Sequence, residues 1–166
     1  MMFFVLILLV TLAARLAGRP GTHALAKRPA SMRWGMTVAL VFVGIDHLVT
    51  SERYLPMLPS ILPYPDRIVF LTGLCELAGA VGLLVPWTRR LAGIMLGIYF
   101  VCVFPANIKN SLEGLSVEGL PSASWYYWVR LLFQPLAVWW ALYASEILRS
   151  RQPSAAQNCS EVKVPR

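Results

Sequence analysis

Apolar residues in this chain gather into long runs, with no strict alternation and no narrow heptad stripe. Five runs can be marked off: Met2–Ala17, Trp34–Thr50, Ile68–Trp87, Leu91–Pro105 and Trp125–Leu148. A helix needs about 20 predominantly apolar residues to cross the hydrocarbon core of a bilayer, with a lower limit near 17. The third and fifth runs meet that length. The second and fourth meet it when extended through Ser31 and Asn107, and the first sits at the limit. The pattern predicts an all-α, polytopic transmembrane bundle of five spans.

The segments between the runs carry the stop signals. Residues 18–33 hold Pro20, Gly21 and Pro29 and read as a basic linker, with Ser31 placed to cap the second helix. Ser51–Pro65 contains Pro56, Pro59, Pro63 and Pro65 among apolar neighbours. Proline removes backbone donors, so this stretch reads as an irregular outer segment lying over the bundle end. Thr88 is placed to cap the fourth helix, Pro105 to disturb it, and Ser124 to cap the fifth. Lys109–Ala123 reads as a polar loop and residues 150–166 as a disordered tail. The organisation expected is an N-terminal anchor (1–17), a cytoplasmic linker (18–32), a membrane core (33–149) and the tail.

Composition agrees with the pattern. Of the 166 residues, 57% are hydrophobic and 14% charged, against about 45–50% and about 25% in a soluble domain. The net charge of +7 invites a nucleic-acid reading, and its distribution removes it. Eleven of the fifteen basic residues fall in alternate loops: Arg15 to Arg33, then Arg89 and Arg90, then Arg149 to Arg166. The intervening loops are balanced or acidic. This is the positive-inside pattern, and it orients the chain in an inner (plasma) membrane with the N-terminus outside and the C-terminus cytoplasmic. Met1–Gly18 lacks a basic stretch ahead of its apolar run, so it reads as a retained anchor rather than a cleaved signal. Cys75, Cys102 and Cys159 form no C-x-x-C pair and no zinc-like spacing.

Candidate chemistry comes from polar groups stranded in apolar runs. Glu76 is the only charge between Ile68 and Trp87, and a carboxylate there must face protein, water or a partner. Counted from the outer end of its run, Glu76 lies ~13 Å deep and Arg130, in the last run, ~8 Å deep. An arginine side chain spans that difference, so a Glu76–Arg130 ion pair is expected. Asp46 and His47 sit near the outer end of the second run, Asn107 closes the fourth, and Gln134 lies one turn beyond Arg130. The six residues Asp46, His47, Glu76, Asn107, Arg130 and Gln134 form a polar cluster in the outer half, with the inner half expected to be nearly pure apolar. Two readings stay open. The cluster is a structural pair completed by Gln134 and Asn107, or it lines an outward-facing pocket for a lipid-like head, a partner group or a quinone. No metal site is expected, because Glu76 lies about two turns deeper than Asp46 and His47. Gly93-x-x-x-Gly97 allows close helix packing, within the chain or between copies. No catalytic triad, phosphate loop or dinucleotide fingerprint is present.

Several stretches together resemble the DoxX-like membrane proteins. They are Phe42-Val43-Gly44-Ile45-Asp46-His47, the proline-rich Met57–Pro63, Thr72-Gly73-Leu74-Cys75-Glu76 with the small residues after it, Phe104-Pro105-Ala106-Asn107, and Arg130 with Gln134. The resemblance covers roughly residues 33 to 146. It implies a four-helix membrane core with one extra N-terminal span, and relatives tied to quinone-linked redox complexes or receptor assembly. The leading expectation is a non-enzymatic membrane module that binds a lipid-like or partner group. The alternative is a quinone-linked oxidoreductase subunit. Expected partners are the bilayer and a membrane protein or a second copy, and no nucleic acid.

Overall fold

The computed structural model describes residues 2–17, 28–113 and 124–149. Most of the linker, the loop at 114–123 and the tail, with Cys159, lie outside the described residues. The elements are α1 (Met2–Ala17), α2 (Arg28–Val49), a 3₁₀-helix (Ser51–Met57), α3 (Pro65–Leu84), α4 (Arg89–Cys102), α5 (Phe104–Glu113), α6 (Ser124–Ala144) and a 3₁₀ turn (Ile147–Arg149). No strand occurs among the described residues.

Three helical stretches are long and apolar enough to cross a membrane: Pro29–Val49, Pro65–Leu84 and the run Arg89–Glu113 formed by α4 and α5. Phe3–Ala17 is apolar and shorter. The fifth expected span is cut back: α6 ends at Ala144 and is not among the three. Arg130, Gln134, Pro135 and its many Tyr and Trp side chains lower its hydropathy. Outward faces carry Leu8, Phe42, Ile45, Leu71, Ile94 and Val101, all exposed. Apolar side chains facing outward on every helix suit acyl chains as solvent rather than water.

The central helix is α2, which packs against α1, α3 and α6, while α4 lies between α3 and α6. The core runs through Ile7, Met36, Leu40, Ala80, Leu83 and Ala141. Small residues set the closest crossings. A Cβ built on Gly73 of α3 would lie 2.9 Å from the Gly44 carbonyl oxygen and 3.0 Å from the His47 Cβ. Only glycine allows α2 and α3 to approach this closely. Gly93 meets Ser145 and the Ala141 carbonyl just past and inside α6, and Gly97 faces Leu142 and Val138. The Gly93-x-x-x-Gly97 stripe is thus used within the chain.

Local chemistry explains the element ends. Pro65 opens α3 after Tyr64, whose φ of 53° is left-handed. Arg67 lies 4.9 Å over the Tyr64 ring, a cation–π contact that holds this turn. Pro105 lies in the first turn of α5, where a missing N–H is tolerated, and the helical run breaks at Val103 just before it. Beyond α6, Glu146 has φ 66°, a position usually taken by Gly or Asn. Its side chain gives the reason: Oε1 accepts from Arg33 Nη2 at 2.6 Å and lies 3.7 Å from Arg89 Nη1.

Several expectations change here. Arg33, taken for a loop charge, is buried within α2, and its Nε also donates to the Ala144 carbonyl at 3.1 Å. The half expected to face inward therefore holds a charge network and is not purely apolar. Ser31 lies inside α2, where its Oγ accepts from Arg15 Nε at 3.2 Å, and does not cap it. Thr88 does stand at the N-cap of α4, but its hydroxyl donates back to the Gly82 carbonyl at 3.1 Å and not to a first-turn N–H. Lys109–Glu113, expected as loop, completes α5. The segment 51–57, expected to be irregular, is a 3₁₀-helix through Pro56. Such a helix still forms around proline because each interior N–H lost removes only one bond. Lys109 Nζ pins this segment by donating to the Pro56 and Leu58 carbonyls at 3.2 and 2.6 Å.

Candidate functional site

The Gly44–Gly73 crossing decides the local chemistry. It brings His47 of α2 beside Glu76 of α3, with Nδ1 2.8 Å from Oε2. The same Nδ1 lies 3.0 Å from the Val43 carbonyl oxygen. A carbonyl only accepts, so Nδ1 carries a ring proton. From α4, Tyr99 donates its hydroxyl to Glu76 Oε1 at 2.7 Å. Both carboxyl oxygens of this buried residue, 4% exposed, are thereby occupied. Buried charge is tolerated when it is hydrogen-bonded in this way.

The 3₁₀-helix covers the pair. Tyr54 stacks on His47 with ring centroids 4.0 Å apart and an interplanar angle of 28°. Its hydroxyl donates to Asp46 Oδ2. Asp46 also accepts from Thr50 Oγ1 at 2.9 Å and meets Arg53 at 3.4 Å. Burial, reinforced by the Asp46 hydrogen bond, pushes the Tyr54 phenol well above its ordinary range.

Beneath this cover lies a cavity of about 210 Å³. His47, Glu76, Asn107, Arg130 and Gln134 all line it; Asp46 does not, and reaches it only through Tyr54. On the α5–α6 side, Asn107 Nδ2 donates to Gln134 Oε1 at 2.8 Å, and Gln134 Nε2 donates to the Phe100 carbonyl at 2.8 Å. Arg130 stands apart. It is half-buried, lines the cavity, and makes no hydrogen bond, ion pair or ring-face contact with the described residues.

The expected Glu76–Arg130 pair is therefore corrected: Glu76 is held by His47 and Tyr99, and Arg130 is left facing the cavity. Depth alone does not decide the pairing: His47, across the Gly44–Gly73 crossing, and Tyr99 of α4 hold the two Glu76 oxygens. Gly44 lies opposite Gly73 and Leu77, so α3 extends past the end of α2 by about five residues, or ~8 Å. That overhang narrows the depth gap between Glu76 and His47 to about one turn, which the two side chains bridge. The two-turn separation used against a metal site is halved with it, yet no group of three metal-binding side chains occurs among the described residues.

The family model described as "Domain of unknown function (DUF8561)" matches residues 36–145. The chain belongs to this family. The match overturns the DoxX resemblance, and the helical architecture, with three span-length stretches among the described residues, does not confirm the four-helix core it implied. The short stretches behind that resemblance combine small residues with single polar groups in apolar helices, a combination that recurs wherever helices pack tightly in lipid. No curated protein and no solved structure matches the chain. The DUF8561 region contains every polar residue of the cavity, whereas Phe3 and Phe4 of α1, which close one side of it, precede the matched residues.

Two residues of the DUF8561 site were missed in the sequence. Tyr99 sits in an unbroken apolar run, and its signal was a hydroxyl away from the helix ends, where tyrosine usually gathers. Tyr54 was read only as one of several apolar neighbours of the prolines.

Proposed function

We propose that this protein is an integral membrane protein that binds a small amphipathic anion drawn from the bilayer, with Arg130 holding the anionic group. The role is binding rather than catalysis. Three span-capable helices and the outward apolar faces support placement in a membrane. The alternate-loop basic residues support an inner-membrane location with the N-terminus outside and the C-terminus cytoplasmic. In that orientation the cavity opens in the outer half, under the 3₁₀ cover.

One observation carries the reading. Glu76 has a hydrogen-bond partner on each oxygen, and Arg130 lines the same cavity with no ion-pair partner among the described residues. A half-buried guanidinium without a partner is unfavourable in low dielectric. A planar carboxylate or phosphate supplies two parallel hydrogen bonds to it. A neutral quinone gives Arg130 no such counter-charge, so nothing favours the quinone alternative. The test is mass spectrometry of small molecules carried by the protein purified in native lipid discs. An anion should co-purify with the natural protein and be lost in Arg130→Gln. Equal carriage by both proteins, or none by either, overturns the proposal.

A further inference from the structure

We infer that the apolar part of the ligand is a single aromatic ring, so that the cavity takes a monocyclic aromatic anion of the benzoate class. The inference rests on the anion-binding reading and adds the body to the head. Three observations support it: volume, wall composition and the placement of charge.

At about 210 Å³ the cavity is smaller than the roughly 300–1,000 Å³ of sites for drug-sized molecules. A cavity of about 150 Å³ lined by apolar side chains holds one benzene. The enclosed space here therefore suits one ring and one small substituent. The walls present six aromatic side chains: Phe3, Phe4, Tyr54, Tyr99, Phe100 and Tyr126. Several are already arranged as ring partners. Phe3 meets Phe100 edge-on with centroids 6.1 Å apart, and Phe3 meets Phe4 at 5.3 Å and 88°. Such rings receive a further ring through offset or edge contacts, which an aliphatic chain cannot reproduce. Arg130 supplies the cation.

Phe3 and Phe4 act as specificity-determining residues in this arrangement. They come from α1, outside the residues matched by the family, and Phe4 is fixed against Phe133 at 4.9 Å. Relatives that share the polar site and differ in this helix would share the anion and differ in the body bound to it.

The test titrates benzoate, cyclohexanecarboxylate, hexanoate, phenyl phosphate and benzyl alcohol against the full-length protein in lipid nanodiscs, followed by saturation-transfer NMR. Benzoate is expected to bind about tenfold more tightly than either aliphatic acid, and benzyl alcohol not measurably. Phe4→Leu should remove that preference and keep carboxylate binding, which also shows that the variant folds. Phe3→Leu is the second variant if Phe4→Leu fails to fold. Arg130→Gln should lose all carboxylates. Equal binding of benzoate and cyclohexanecarboxylate by the natural protein overturns the ring assignment and leaves the anion reading standing. Equal binding of benzyl alcohol, or no binding of benzoate, of the aliphatic acids or of phenyl phosphate, overturns both.

Discussion

Replacing Tyr99 by Phe should weaken the fold by an amount that depends on Glu76. Tyr99→Phe removes one hydroxyl that donates to Glu76 Oε1 at 2.7 Å and leaves the ring in place. Hydrogen bonds to charged groups contribute about 1.5–3 kcal/mol. Glu76 keeps His47, so it is not orphaned, and the lower half of that range applies, about 1.5–2 kcal/mol. Glu76→Gln preserves shape but places an amide NH₂ or a weaker acceptor against the Nδ1–H of His47. We expect a loss of about 2–4 kcal/mol from the two altered bonds. With Glu76 already changed, Tyr99→Phe should lose much less, giving a coupling energy of about 1–2 kcal/mol. The assay is reversible unfolding in mixed micelles, followed by circular dichroism, for the natural protein, both single variants and the double variant. Losses additive to within about 0.5 kcal/mol would refute the shared carboxylate.

Other outcomes follow from the same geometry. Arg130→Met should leave stability within about 0.5 kcal/mol of the natural protein or raise it, whereas breaking a buried pair with Glu76 would lower it by about 3–5 kcal/mol; the same unfolding assay separates the two. Gly73→Ala inserts a Cβ 2.9 Å from the Gly44 carbonyl oxygen and should lower stability by about 1–3 kcal/mol. It should also weaken the Tyr99–Glu76 coupling measured above. Tyr54, with its phenol raised chiefly by burial, should stay protonated after exposed tyrosines ionise near pH 10. Because the shift is upward in the folded state, its contribution to stability is fully present below about pH 10 and declines above it. Tyrosinate absorbance in natural and Tyr54→Phe proteins checks this, and a full complement of tyrosines ionising together near pH 10 counts against it. Cysteine placed at Glu113 should react with an impermeant reagent from outside the cell and cysteine at Arg90 should not; the reverse pattern overturns the orientation.

The helical architecture was legible because hydrocarbon solvent demands long apolar helices with few charges. Run lengths marked Met2–Ala17 as the helix observed, while Trp34–Thr50 fell six residues short of the start of α2 and Leu91–Pro105 covered α4 and only the start of α5. The strandedness of His47, Glu76, Arg130 and Gln134 was legible for the same reason. Their partners were not. Pairing depends on the register between helices, which is set by the Gly44–Gly73 crossing and the overhang of α3, and neither is encoded in distance along one helix. Arg33 and Glu146 show the same difficulty at the other end. One looked like a loop charge and the other fell inside an apolar run, and only the left-handed turn after α6 brings them to 2.6 Å. The family was misread because short polar-in-apolar stretches report the bilayer environment more than descent.

Solid-state NMR on the protein in bilayers, with isotopic labels in the Arg130 guanidinium, the Glu76 carboxyl and the carboxyl of added benzoate, measures the decisive distances directly. A dipolar contact between Arg130 and the benzoate carboxyl, with none between Arg130 and Glu76, is the result expected. A short Arg130–Glu76 contact that persists when benzoate is present would contradict the account.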